Sequence, residues 1–327
     1  MVSPQEFRPS GDVDGRTFRL GAKTLVKSMS FDWTRPLVFM HIPKSAGTSL
    51  TEAMRAALNP RTSVLRRFDQ CLFGDFRDFE NMPDIVRQAI FRGPDQLEAG
   101  CDFVAGHLSW TTTHHAYPSA QFMTVLREPV SRLLSHWLFW RSLTDDQLAP
   151  WGREWIVRLK QSRQPLRSFI AAPNIASQTD NVAVRMLLWP HRLIPDGDFI
   201  DERHDETLRK EALARLNRFS FVNFLENPRL AGDISDWLKC PLTIPNLNET
   251  PALSTEFATD IASEIGGDTH RLLELRSRLD GQLWQHAAAI WYPDLDTAAR
   301  REEIFAKNAS RFARVMAGET VGAVASP

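Results

Sequence analysis

The chain has little of what marks several protein classes. Its formal net charge is only −1. No overall field would draw it to nucleic acid or an anionic membrane, so any anion site must be built locally. Its three cysteines, Cys71, Cys101 and Cys240, are widely spaced, form no C-x-x-C pair and are odd in number. That pattern points away from a disulfide framework and toward free thiols in a reducing compartment. No uninterrupted apolar run approaches the roughly 20 residues of a membrane span. The opening MVSPQEFRPSGDVDG lacks the apolar stretch of a secretory signal. No His/Cys/Asp cluster has metal-ligand spacing, and neither an internal repeat nor a domain linker is evident. At 327 residues, 43% hydrophobic and 24% charged, the composition is ordinary for a globular protein. The expectation is a cytoplasmic protein with no metal, no nucleic-acid partner and no membrane span; oligomeric state is open.

Four short apolar runs read as buried strands: PLVFMH (36–41), CDFVAGH (101–107), QFMTVLREP (121–129) and FSFVNFLENP (219–228). The first is followed by TSLTEAMRAAL, with Leu50, Met54 and Leu58 on one helical face. The third is followed by Pro129, suited to a first helical turn, and then by VSRLLSHWLFWRSL. The fourth precedes RLAGDISDWLKC. Strands alternating with helices imply an α/β fold with a central parallel sheet flanked by helices. Residues 1–34 read as an irregular arm and 35–316 as a single domain. Within it, 140–215 would form a helical insertion or lid. One long helix is expected over 269–291 and another over 298–316, with 317–327 a flexible tail.

The stretch HIPKSAGTSL (41–50) places a lysine and small residues between a strand and a helix. Unpaired N–H groups and the helix dipole favour an anion at such a corner. Ser45, Ala46 and Gly47 shape the loop, Gly47 allows close backbone approach, Thr48 and Ser49 add hydroxyls, and Lys44 adds a point charge. The nucleoside triphosphate pattern G-x-x-x-x-G-K-[ST] places its lysine after the second glycine. Here Thr48 stands in that place, the cation comes three residues before Gly47, and the first glycine is missing. The loop therefore suits a shorter anion, such as a 5′-phosphate with a lysine beside the group being transferred. The bland alternative is a capped helix with Lys44 solvated.

HIPKSAGTSL resembles the 5′-phosphosulfate loop of sulfotransferases related to heparan sulfate 2-O-sulfotransferase, and VLREPVSRLLSHW resembles that family's second motif. The resemblance implies a P-loop-NTPase-like three-layer fold. It also implies 3′-phosphoadenosine 5′-phosphosulfate (PAPS) as donor, with 3′-phosphoadenosine 5′-phosphate as product, and a hydroxyl of a small-molecule or glycan acceptor. It assigns Lys44 through Ser49 to the 5′-phosphosulfate, and Arg127 with Ser135 to the 3′-phosphate. Arg127 leaves a strand at its carboxyl end, where open α/β sheets bind ligands, and Ser135 lies about two turns along the next helix. The bland alternative has Arg127 capping the loop through a carbonyl or Glu128, with Ser135 packing. Arg132, on the same helix, is expected to be solvated.

An attacking hydroxyl needs a base within hydrogen-bond reach. His107, at a strand end, is the first candidate. The family's strand resembles H-G-H, and here only the second histidine is kept. The alternative is a structural histidine bonded to a carbonyl. His114 and His115 read as loop surface, His41 as a support for the phosphate loop, and His136 as packing. Asn181, Arg185 and Asn248 are candidate acceptor or cofactor contacts by weaker resemblance. The arginines at 61, 66 and 67 are either an anion-binding cluster or a solvated face. The competing functional readings are a P-loop-type kinase using ATP and magnesium, and a nucleotide-binding protein without catalysis.

Overall fold

All four residues of Leu37–Met40 are buried, and alternate ones enter opposite cores. A strand with no polar face must be covered on both sides. In the computed structural model, which describes residues 31–73, 79–93, 96–244, 257–295 and 298–317, this strand lies near the middle of a six-stranded sheet. The strands are β1 (Leu37–Met40), β2 (Ser63–Asp69), β3 (Ile90–Phe91), β4 (Phe103–His107), β5 (Gln121–Leu126) and β6 (Phe221–Phe224). Their spatial order is β3-β2-β4-β1-β5-β6, and every neighbouring pair is parallel.

On one face Leu37, Phe39, Phe103, Met123 and Val125 pack against Leu50 and Met54 of the Gly47–Leu58 helix and Ile234, Trp237 and Leu238 of the Leu230–Leu238 helix. Phe31 joins this core, its N–H donating to the Trp237 carbonyl. On the other face Val38, Met40, Val104 and Leu126 meet Leu133, Leu134 and Trp137 of the Pro129–Arg141 helix. The short helices between Asp145 and Leu216 add Phe169, Val184 and Leu187 to the same core. The result is the three-layer α/β arrangement expected from alternating strands and helices.

Three elements differ from the sequence expectation. SVLRRFD forms β2, although two adjacent arginines break the apolar run by which the other strands are recognised. Its register against β4 shifts between Leu65 and Arg67, with Arg66 at φ 58°. Gly106 makes this bulge possible, because a Cβ there would lie 2.6 Å from the Arg67 carbonyl oxygen. Arg66 turns outward to Glu52 (2.9 Å), Arg61 lies 3.5 Å from Asp102, and Arg67 lies over Phe91, so these arginines form no single patch. Residues read as loop around His114 instead form the Trp110–Ala116 helix, whose N-cap Ser109 accepts from Thr112 N–H.

The expected long helix over 269–291 is two helices, Gly267–Arg276 and Arg278–Trp291. Asn181 divides them. Its N–H donates to the Arg276 carbonyl (2.8 Å), while its Oδ1 accepts from the N–H groups of Leu279 and Asp280. One buried side chain thus replaces the helical ladder at the break. Asn181→Ala removes the Oδ1 acceptor and leaves alanine at φ 49°. It is expected to cost about 2–4 kcal/mol, measured as a lower urea midpoint with unchanged slope.

Candidate active site at the carboxyl edge of the sheet

In a parallel sheet the carboxyl ends of all strands lie on one edge. The residues at or just past the ends of β4, β1, β5 and β6 therefore line up in that order: His107, the loop 41–46, Arg127 and Glu226. Chain order moves outward from β1 to β2 and β3, returns to β4 beside β1, then crosses to β5 on the other side. Such a reversal opens the crevice in which α/β sheets bind ligands.

The loop after β1 is held in an unusual backbone conformation. Lys44 (φ 69°) and Ala46 (φ 57°) are both left-handed, a conformation non-glycine residues rarely adopt without support. Ala46 is the N-cap of the Gly47–Leu58 helix, with no side chain capping it and no acidic residue in the first turn. The amides of Gly47, Thr48 and Ser49 are thus available to an external anion. Thr48 is exposed, Ser49 is buried, and the fully buried Ser45 Oγ has no partner among the described residues.

Gly47 has a role that loop chemistry alone did not suggest. A Cβ at this position would fall 1.7–2.1 Å from the His41 imidazole, so the missing side chain makes room for His41. That ring also stacks on Phe39 and lies 4.3 Å from the His107 ring. His41 N–H donates to the Gly106 carbonyl (2.9 Å), continuing the β1–β4 ladder past the strand end. His41 therefore ties the Lys44 loop to the strand that carries His107.

His107 Nδ1 lies 2.7 Å from the His41 carbonyl oxygen. A carbonyl can only accept, so Nδ1 carries the proton and Nε2 keeps its lone pair. Burial, with Lys44 nearby, lowers the His107 pKa to about 4, and the ring is neutral at pH 7. The carbonyl bond of the bland alternative is present, and it also sets the tautomer a base requires. Phe68, re-aimed by the β2 bulge, lies 5.2 Å from His107, and Trp151 lies 6.2 Å beyond Phe68.

Lys44 sits with its ammonium 3.9 Å from the centroid of the Phe139 ring. Burial, together with the charges of Arg127 and Arg311, lowers its pKa to about 7. Arg127 spans the crevice, its Nη1 donating to the Lys44 carbonyl (2.9 Å) and its Nη2 to Asn308 Oδ1 (3.3 Å). Glu128 caps the Pro129–Arg141 helix by accepting from Val130 and Ser131 N–H, while its own N–H donates to Glu226 Oε1 (2.8 Å). Burial raises the Glu226 pKa to about 7 despite the nearby Arg127. Ser135 is buried on that helix. Arg132 is only 3% exposed, not solvated as expected. The apolar packing of its helix draws it inward, and its charge is met by Asp280 and Glu128.

The other candidates separate from this edge. Arg185 is 1% exposed and spends its fork on Asp180, Pro195 and Asp198. Asn181 is fully buried at the helix break, and Asn248 lies outside the described residues. His114 stacks on Trp110 and near Phe122, at the opposite end of β5 from Arg127. His115 is exposed on the same helix. His136 is buried against Trp140, as expected for packing, but neither ring nitrogen has a partner among the described residues. Sequence reasoning did not single out Glu226, Asn308 or Arg311; no local pattern marks them, since tertiary packing brings them to the edge.

Several buried polar atoms along this edge have no partner among the described residues: Ser45 Oγ, Arg132 Nε and Nη1, Arg311 Nε and Glu226 Oε2. Most are donors, which fits a ligand carrying several anionic oxygens. Among the described residues no group of three His, Cys, Asp or Glu side chains is placed to hold a metal ion, and no helix is long and apolar enough to cross a membrane.

Residues 28–169 match the sequence model of the sulfotransferase family. The matched stretch contains the Lys44 loop, His107, Arg127 and Ser135, and supports sulfuryl transfer as the class of chemistry. It does not single out the heparan sulfate 2-O branch. A search of curated proteins finds no significant match.

With Lys44 lowered to about 7, an anion that restores its charge must bring a proton with it above that pH. The Kd for an anionic probe such as pyrophosphate is expected to weaken between pH 7 and 9, approaching tenfold per pH unit for one proton. Glu226, raised to about 7, ionises in the same window and acts in the same direction. Calorimetric titration of Lys44→Gln and Glu226→Gln across this range assigns the slope to one or the other.

Proposed function

We propose that the protein transfers a sulfuryl group from PAPS to a hydroxyl of a carbohydrate or carbohydrate-containing acceptor. The observation that carries this reading is the order of groups along one sheet edge: a neutral histidine with Nε2 unprotonated, then a cationic anion-binding loop, then an arginine. That order suits an in-line displacement, with the acceptor on the β4 side and the nucleotide on the β5 side. The donor brings the activated sulfuryl group, and the rest of the chemistry falls to the protein.

The amides of residues 47–49, with the Thr48 and Ser49 hydroxyls, would hold the 5′-phosphate. Arg127 and Ser135 would hold the 3′-phosphate. His107 Nε2 takes the acceptor's hydroxyl proton as the acceptor oxygen bonds to sulfur. Lys44 meets the charge that grows on the bridging oxygen as the bond from that oxygen to sulfur breaks. Its lowered pKa makes it responsive, since charge arriving on that oxygen raises its proton affinity. The His41 carbonyl keeps the His107 ring oriented while its charge rises, a supporting role like that of an acceptor on the far nitrogen of any histidine base. Phe68 beside His107, with Trp151 beyond it, offers an aromatic surface suited to the C–H face of a sugar ring. The donors at Arg132 and Ser45 that have no partner among the described residues favour a polyanionic nucleotide, and the lysine placement favours PAPS over ATP with magnesium.

Thermal shift provides the first test. 3′-Phosphoadenosine 5′-phosphate is expected to raise the Tm in a concentration-dependent manner. A shift with ATP–magnesium and none with this nucleotide would support the kinase alternative and overturn the proposal. Kinetically, His107→Ala is expected to lower kcat by about 10²–10⁴-fold with nucleotide Kd unchanged. Arg127→Ala is expected mainly to raise the KM for PAPS. Wild-type turnover in His107→Ala removes the base assignment, and unaltered nucleotide affinity in Arg127→Ala removes the 3′-phosphate assignment.

A further inference from the structure

The sulfotransferase-family match ends at residue 169, yet the helix Ala298–Met316 reaches the same edge of the sheet. It packs against the Pro129–Arg141 helix and presents Asn308 at the crevice. Asn308 Oδ1 accepts from Arg127 Nη2 (3.3 Å), and its Nδ2 donates to Ser131 Oγ (3.2 Å) and to the Ile304 carbonyl (2.9 Å). Arg311 follows three residues later, so it shares that helix face. Its charge acts on both Lys44 and Arg127.

Arg311 has no carboxylate partner among the described residues, and its buried Nε donates to nothing there. Arg300, on the same helix, pairs with Glu303 at 2.6 Å, as a surface arginine commonly does. An unpaired arginine held near two other cations makes the empty site less stable, through repulsion and lost hydration. Such an arrangement gains only when an anion enters between the charges.

Building on the reading of the site as a PAPS site, we infer that the C-terminal helix forms a further wall of the donor site, with Arg311 as a ligand of the phosphosulfate end and Asn308 positioning Arg127. The three cations then surround one anion from different elements. Lys44 approaches from the loop after β1, Arg127 from the end of β5, and Arg311 from the last helix. Because the helix is joined to the site through Asn308 and Arg311, donor binding also fastens it to the sheet edge.

Arg311→Met keeps the apolar stem and removes the charge, and Arg311→Gln provides a second neutral variant. The full-length protein is titrated with 3′-phosphoadenosine 5′-phosphate by calorimetry, and the Tm of the ligand-free protein is recorded. The neutral variants are expected to bind about 10–100-fold more weakly at low salt, with a ligand-free Tm equal to or above wild type. Arg311→Lys should recover part of the affinity, and Asn308→Ala should weaken it less than loss of Arg311. Unchanged affinity in either folded neutral variant overturns the inference, as does a lower ligand-free Tm with affinity intact, which marks a packing role. Absence of binding by the wild-type protein instead overturns the PAPS reading on which the inference rests.

Discussion

Like charge brought together at one edge of a parallel sheet is the constraint on which the rest of the site depends. Lys44, Arg127, Arg132 and Arg311 converge there from a loop, a strand end and two helices, each at least partly removed from water. The fold makes this tolerable without neutralising it. The Lys44 carbonyl and Asn308 accept from Arg127, the face of Phe139 lies beneath Lys44, and Asp280 with Glu128 stands near Arg132. A carbonyl or an aromatic face offers partial negative charge that can orient a cation while leaving it attractive to an anion. Glu226, the carboxylate that acts most strongly on Arg127, is itself raised to about 7, so it does not fully cancel the field.

His41 is the mechanical centre of the arrangement. Its ring fills the space left by Gly47, its N–H extends the ladder to Gly106, and its carbonyl accepts a hydrogen bond from His107 Nδ1–H. These contacts join the Lys44 loop, the strand beside it and the candidate base into one packed unit. The left-handed backbone at Lys44 and Ala46 is supported by the same unit, since the helix that begins at Gly47 is seated against His41. A second buried network, centred on Asn181, Asp180, Arg185 and Asp280, reaches the site through Asp280. Asp280 accepts from the N–H groups of Ala183 and Val184 while facing Arg132.

Legibility in the sequence followed the physics of local signals. β1, β4, β5 and β6 were visible because a strand covered on both faces must be apolar throughout. β2 was not, because Arg66 and Arg67 occupy a bulge that needs Gly106 on the neighbouring strand. The Trp110–Ala116 helix was hidden in WTTTHHA, whose threonines and histidines form helices poorly unless Ser109 caps them and Trp110 is buried. The division of the 269–291 helix was invisible because its cause, Asn181, lies 98 residues from Leu279 along the chain. Lys44, His107, Arg127 and Ser135 stood out through their strand-loop-helix settings, whereas Asn181 and Arg185, although singled out, have their polar groups held within the protein.

By itself, the sequence determined the parallel α/β layering and the strand ends at which charged and titratable residues emerge, because periodicity and turn chemistry act over a few residues. It also determined that a lysine precedes the helix where a nucleoside triphosphate loop would place it later. Only the tertiary structure decided which charges meet. Asn308 and Arg311 join the site through helix packing, Arg132 is drawn inward by the apolar face of its own helix, and the tautomer of His107 is set by a carbonyl 66 residues distant in the chain. Hydrogen bonding and electrostatics depend on separation in space, and no local pattern in the chain records that separation.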